Sequence, residues 1–87
     1  MKSENTTDIE LKTQTLKWLK KAQEKISRIE KNNDKSNYIV QNARCYIKDT
    51  DYFLKQKDYL RSFEAVIWAW AFLEIGQNCK QLSFSKE

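Results

Sequence analysis

The side chains of this chain that could do acid–base chemistry are carboxylates, because the sequence contains no histidine, the commonest general base near neutral pH. Two pairs of carboxylates deserve testing against helical geometry. Asp49 and Asp51 lie about 200° apart around a helix, and Glu64 and Glu74 lie about 80° and three turns apart. Neither pair converges on one reacting atom, and no glycine-rich phosphate loop accompanies them. We therefore expect no catalytic residues and no enzymatic activity.

The two cysteines, Cys45 and Cys79, are poorly placed for a disulfide or a metal site. If the helices on either side of Asp58 form an antiparallel hairpin, the two thiols are offset by about 12 Å along the helix axis. That offset is too large for a disulfide. Two distant thiols without histidine cannot complete a zinc site within one chain. We expect free structural thiols, no bound metal and no cofactor.

Length and composition limit the chain to one small helical domain. Its 87 residues leave room for one core. Proline is absent and glycine occurs once, so β-hairpin turns have few places to form. We expect an all-α fold, with a disordered N-terminus over residues 1–7, a single domain over 8–80 and a loose C-terminal tail over 81–87. Residues 1–20 lack the apolar core of a signal peptide, and we expect a cytoplasmic protein.

Hydrophobic periodicity predicts three helices, which we expect to form a three-helix bundle. The first, over residues 8–31, is amphipathic, and its apolar face contains Leu11, Trp18, Leu19, Ala22, Ile26 and Ile29. The second, over 37–56, repeats an apolar triplet every seven residues, which keeps one stripe facing a neighbouring helix. The third begins after the N-cap Asp58 and runs to about residue 80. The second and third helices should form an antiparallel hairpin.

The third helix is apolar on almost every side over residues 63–76, so it must be covered on all sides. One face is predicted to pack on the second helix, and it contains Phe63, Val66, Ile67, Trp70 and Leu73. A second face, with Trp68, Phe72 and Ile75, is left for the first helix or for another molecule. Because tryptophan is enriched in association hot spots, these three residues are the predicted interface. The favoured function is a protein-interaction or self-associating module, such as a homodimer.

The basic back of the first helix offers an alternative contact surface. Its predicted anion contacts are Lys17, Lys20, Lys21, Lys25 and Arg28. These cations could neutralise several phosphates, so association with RNA or the ribosome is the alternative function. Trp18 is expected on the apolar flank, away from the lysines, so base stacking is not expected. No small-molecule substrate is indicated. The apolar segment 63–75 spans roughly 20 Å and contains two glutamates, so no membrane contact is expected.

Residues 42–76 also carry a family pattern. It reads Ala43-x2-Tyr46-Ile47-x-Asp49-x2-Tyr52-Phe53-Leu54, Asp58-Tyr59, Phe63-Glu64-Ala65 and Trp68-Ala69-x-Ala71-x-Leu73-Glu74-x-Gly76. This pattern resembles the archaeal domain-of-unknown-function family 357, small helical proteins without an assigned activity. The resemblance implies a helical hairpin plus one helix in an archaeal cytoplasm. Lys57 stands where that family tends to have glycine, which predicts a turn without a left-handed residue.

Overall fold

The computed structural model describes residues 6–29 and 34–79. This part of the chain forms three helices, α1 (Thr6–Ser27), α2 (Asp34–Lys55) and α3 (Tyr59–Asn78). The predicted all-α, three-helix architecture is confirmed. Helix α1 begins two residues before its expected start, so residues 6 and 7 are helical and not part of a disordered N-terminus. Residues 1–5 and the expected tail over 81–87 lie outside the described residues.

Helix α3 lies at the centre of the arrangement. It packs most extensively against α2 and less against α1, whereas α1 and α2 touch each other least. Contacts between α1 and α3 join Trp18 to Trp70 and Lys25 to Gln77, two pairs with the same sequence separation of 52 residues. Equal separation means that α1 and α3 run parallel. The short link over 56–58 turns α2 back along α3, which confirms the predicted antiparallel hairpin.

That link closes α2 with a Schellman motif. The N–H of Asp58 donates to the carbonyl of Phe53 at 2.9 Å, and the N–H of Lys57 donates to the carbonyl of Leu54 at 3.0 Å. These two bonds define the motif, which needs a left-handed residue just past the helix. Lys57 has a φ of 60°. The expectation of a turn without a left-handed residue is therefore wrong, because the hydrogen bonds impose that conformation on a lysine.

Asp58 also begins α3, as the sequence predicts. Its carboxylate accepts a hydrogen bond from the N–H of Arg61 at 3.3 Å, which satisfies one of the donors left open at a helix N-terminus. The Arg61 guanidinium lies 3.6 Å from the same carboxylate. One residue thus completes the end of α2 and caps the start of α3, which makes a three-residue link sufficient.

Small side chains form much of the line along which the helices meet. The buried residues of α3 are Tyr59, Ser62, Ala65, Val66, Ala69, Leu73 and Gly76. Helix α2 contributes Ala43 and Thr50, both fully buried, while its larger apolar side chains are half-buried or exposed beside them. Small residues at a contact shorten the distance between helix axes. They also leave the bulky side chains on the flanks of each helix.

Three buried hydroxyls lie in this core. The Thr50 hydroxyl donates to the carbonyl of Tyr46 at 2.7 Å, and the Ser62 hydroxyl donates to the carbonyl of Tyr59 at 2.9 Å. The hydroxyl of Thr15 on α1 is fully buried and has no hydrogen-bond partner. An unpaired buried hydroxyl costs folding free energy, so Thr15 is a weak point of the α1 packing.

The orientation of α3 differs from the predicted one. Of the face expected to pack on α2, Val66 and Leu73 are buried, but Ile67 is half exposed. Trp70 packs against Trp18 of α1. The assignment of this face to α2 is wrong, because the small residues of α3 occupy the line of closest contact and turn the aromatic flank towards α1.

Candidate interaction surfaces

An apolar patch, here called the outer patch, covers the solvent-facing side of α3. Its members are Leu60 (61% exposed), Ile67 (50%), Trp68 (56%) and Ile75 (59%). Spacings of seven and eight residues place these side chains on one side of a helix. Each leaves on the order of 100 Å² open, so the patch totals several hundred Å², in the upper range for a monomeric protein.

Two of the three predicted interface residues belong to the outer patch. Trp68 and Ile75 are exposed, whereas Phe72 is half-buried because its ring stacks on Tyr46 of α2, with centroids 5.7 Å apart. Tyr46 also stacks on Trp68 at 6.3 Å. Helix α2 therefore supplies the aromatic contact on this side of α3, where α1 was the expected candidate, and more than half of the Trp68 surface stays open.

The sequence interpretation misses Leu60 and Ile67 as members of the patch. A signal for them exists, because these two residues are seven apart and Trp68 and Ile75 repeat the same spacing. Two parallel seven-residue columns on one helix indicate a continuous stripe.

A small apolar groove, here called the tryptophan groove, opens between α1 and α3. Its volume is about 210 Å³, and its lining is Trp18, Phe63, Val66, Ile67, Trp70 and Glu74. The rings of Trp18 and Trp70 meet edge to face, with centroids 5.6 Å apart and planes at 85°. The indole N–H of Trp70 donates to the carbonyl of Trp18 at 3.1 Å. The hydrogen bond and the edge-to-face contact together fix the shape of the groove.

Lysine ammonium groups lie over both indole rings. The Nζ of Lys21 is 4.7 Å from the centroid of Trp18, and the Nζ of Lys17 is 5.9 Å from it. The Nζ of Lys25 is 5.5 Å from the centroid of Trp70. These are cation–π distances. The expectation that Trp18 lies away from the lysines is wrong, because the buried stripe of α1 is narrow and Trp18 stands at its edge.

The structure divides the predicted basic face of α1. Lys17, Lys21 and Lys25 surround the tryptophan groove, whereas Lys20 is exposed about 200° around the helix from Trp18. Arg28 is half-buried, just beyond the last residue of α1. The five cations therefore do not form a single continuous surface.

The remaining polar groups are dispersed. Cys45 and Cys79 are free, exposed thiols, and Glu64 and Glu74 are exposed as well. Over residues 6–29 and 34–79, no group of three His, Cys, Asp or Glu residues could hold a metal ion. In the same ranges, none of the helices combines the length and the apolar character needed to cross a bilayer. The features that the described residues do present are two contact surfaces, the outer patch and the tryptophan groove.

Comparison with known proteins confirms the resemblance carried by residues 42–76. A family model described as "Protein of unknown function (DUF357)" matches residues 14–82. The crystal structure of protein AF1782 from Archaeoglobus fulgidus, of the same family, matches with a TM-score of 0.84 and 39% sequence identity, over 92% of this chain and 100% of that chain. No curated protein matches. The chain belongs to the DUF357 family of proteins of unknown function.

Proposed function

We propose that this protein is a non-enzymatic association module that forms a two-fold dimer through the outer patch of α3. The observation that supports the proposal is the 56% exposure of Trp68 at the centre of a patch whose other members are aliphatic. Large rigid aromatic side chains surrounded by apolar neighbours are typical anchors of protein interfaces. The lack of histidine anywhere in the sequence supports a role in binding over one in catalysis.

The size of the outer patch suits the core of a standard interface. Such an interface buries about 800 Å² on each partner, and its centre is apolar while its rim is polar. The outer patch supplies several hundred Å² of apolar surface. Exposed Arg61, Glu64 and Asn78 lie around it and would form part of the rim. The patch with its rim therefore approaches the area that a stable dimer needs.

A second copy of the chain is the partner because the patch is self-complementary in an antiparallel pairing. A two-fold axis between Ile67 and Trp68 places Ile67 of one protomer opposite Trp68 of the other. The same axis places Leu60 opposite Ile75 at both ends of the patch. Glu64 then faces the small Ala71, which leaves space for the carboxylate to reach water. Each large apolar side chain thus meets another one.

Sedimentation velocity over a concentration series tests the dimer. Wild-type protein should sediment with twice the chain mass, and Ile75→Glu should weaken dimerisation at least about tenfold, because it places a charge in the centre of an apolar contact. Leu16→Glu is the matched control, since Leu16 is 48% exposed on α1 and should leave dimerisation unchanged. Circular dichroism checks that both variants stay helical. A wild type that is monomeric at every concentration would contradict the proposal, as would an Ile75→Glu variant that still dimerises normally.

Association with RNA through Lys17, Lys20, Lys21, Lys25 and Arg28 stays a prediction and is the second candidate. Its support is the position of Trp18 between Lys17 and Lys21, because exposed rings beside cations can stack on bases. The place of Lys20 on another side of α1 weakens it. Fluorescence anisotropy of labelled oligouridylate should rise on binding and fall steeply with salt. An unchanged anisotropy at low salt would exclude this candidate.

A further inference from the structure

The tryptophan groove carries an ordered charge pattern across its width. On the α1 side, Lys17 and Lys21 lie one turn apart, which is about 6 Å along the helix axis. Both extend over the ring of Trp18. On the α3 side, the lining includes the exposed carboxylate of Glu74. The surface between these edges is apolar. A complementary ligand needs negative charge on one edge, an apolar middle and positive charge on the other edge.

The volume of the groove limits what it can hold. Sites that enclose small-molecule ligands usually measure roughly 300–1,000 Å³, and this groove measures about 210 Å³. A cavity of about 150 Å³ is large enough for benzene. The groove therefore has room for one large apolar side chain and not for a whole cofactor. Its base is the fully buried Val66, and the hydrogen-bonded Trp70 keeps its wall in place, so little ordering is needed on binding.

We infer that the tryptophan groove binds an amphipathic helix of a partner protein. One leucine- or phenylalanine-type side chain of that helix enters the groove beside Trp18. Carboxylates one turn apart meet Lys17 and Lys21, and a lysine or arginine on the opposite edge meets Glu74. A helix suits this pattern because its residues three and four apart share a face. RNA suits it less, because a phosphate backbone brings no cation to Glu74.

This inference goes beyond the proposed dimer and does not depend on it. The tryptophan groove and the outer patch share Ile67, but their other residues differ. Lys17 and Lys21 are exposed on α1, so reversing their charges should leave both the fold and the dimer intact. Ile75→Glu should disturb the dimer and leave the groove intact. The two proposals can therefore fail separately.

Selection from a phage-displayed library of helical peptides tests the inference. Peptides enriched on wild-type protein should carry an apolar anchor with aspartate or glutamate along one edge and lysine or arginine along the other. Their affinity should fall at least about tenfold for the double variant Lys17→Glu/Lys21→Glu, because both attractive edge charges become repulsive. Lys20→Glu carries the same charge change on another side of α1 and should bind the peptides as wild type does. The double variant should instead enrich peptides with basic edges.

Several outcomes would overturn the inference. Selection that enriches no peptide would do so, and so would peptides that bind the double variant within about twofold of wild type, since edge charges then contribute nothing. Enriched peptides that lose affinity for Ile75→Glu would belong to the outer patch. Oligouridylate that binds wild type, displaces the peptides and fails to bind the double variant would identify the groove as a nucleic-acid surface. Circular dichroism of each variant confirms that lost binding is not lost folding.

Discussion

Replacing Lys57 by glycine tests the most strained position of the described backbone. The φ of 60° at Lys57 brings a Cβ close to the following carbonyl oxygen, which costs about 1–2 kcal/mol. Glycine removes the Cβ but loses about 0.5–1 kcal/mol more than alanine through its freedom in the unfolded chain. The difference favours glycine over a Cβ-bearing residue by about 1 kcal/mol at this position.

Lys57→Ala is the matched control for the charge. Lys57 follows the C-terminus of α2, where a cation contributes about 0.3–1 kcal/mol through the helix dipole. Both substitutions remove that charge, and only glycine removes the Cβ. At Lys55, the last residue of α2, the order should reverse, because glycine in a helix is about 1 kcal/mol less stable than alanine. The glycine-minus-alanine difference should thus change sign within two residues.

Urea titration followed by circular dichroism at one fixed protein concentration measures the four variants. The concentration must be fixed because association would add to apparent stability. In a thermal scan, 1 kcal/mol corresponds to about 4–8 °C for a domain of this size. Lys57→Gly that is no more stable than Lys57→Ala would refute the left-handed assignment. The same order at Lys55 and Lys57 would refute the Schellman link as the cause.

The same titration tests three further substitutions in the helix packing and caps. Asp58→Ala should lower the free energy of unfolding by about 1 kcal/mol through loss of the α3 cap, and Asp58→Asn should cost less; equal losses would contradict the cap. Thr15→Val should raise it by about 1 kcal/mol by removing an unpaired buried hydroxyl, while Thr50→Val, whose hydroxyl is bonded, should gain less; equal gains would contradict the difference. Ala69→Leu should cost at least about 1–3 kcal/mol by overpacking the contact line, and a neutral result would show that the contact is loose.

The number and pairing of the helices follow from the sequence, whereas their ends do so less closely. The seven-residue recurrence of α2 and the capping residue Asp58 leave few alternatives to a hairpin with α3. Helix α1 begins earlier than expected because Thr6 and Thr7 can continue a helix without adding to its apolar periodicity. The start of α2 at Asp34 is early for a similar reason, since residues 34–37 are polar.

The rotation of α3 could not be predicted from periodicity. A helix with apolar residues on nearly every side has no preferred apolar direction, so side-chain size decides which face goes inside. Here the small residues Ala65, Ala69 and Gly76 are buried. The tryptophan groove was also out of reach of the sequence, because Trp18 and Trp70 are 52 residues apart. Their meeting depends on how α1 lies along α3, which local patterns do not specify.

The exposed apolar residues of α3 are better explained by contact than by folding. Buried Val66 and Leu73 each contribute about 1.5–3 kcal/mol to folding through the area they remove from water. Leu60 and Ile75, both about 60% exposed, contribute far less, and the buried line of α3 would be unchanged if both were polar. Polar residues at these two positions would improve solubility. On one helix, therefore, small residues serve the internal packing, and the large residues excluded from that packing are free to serve a partner.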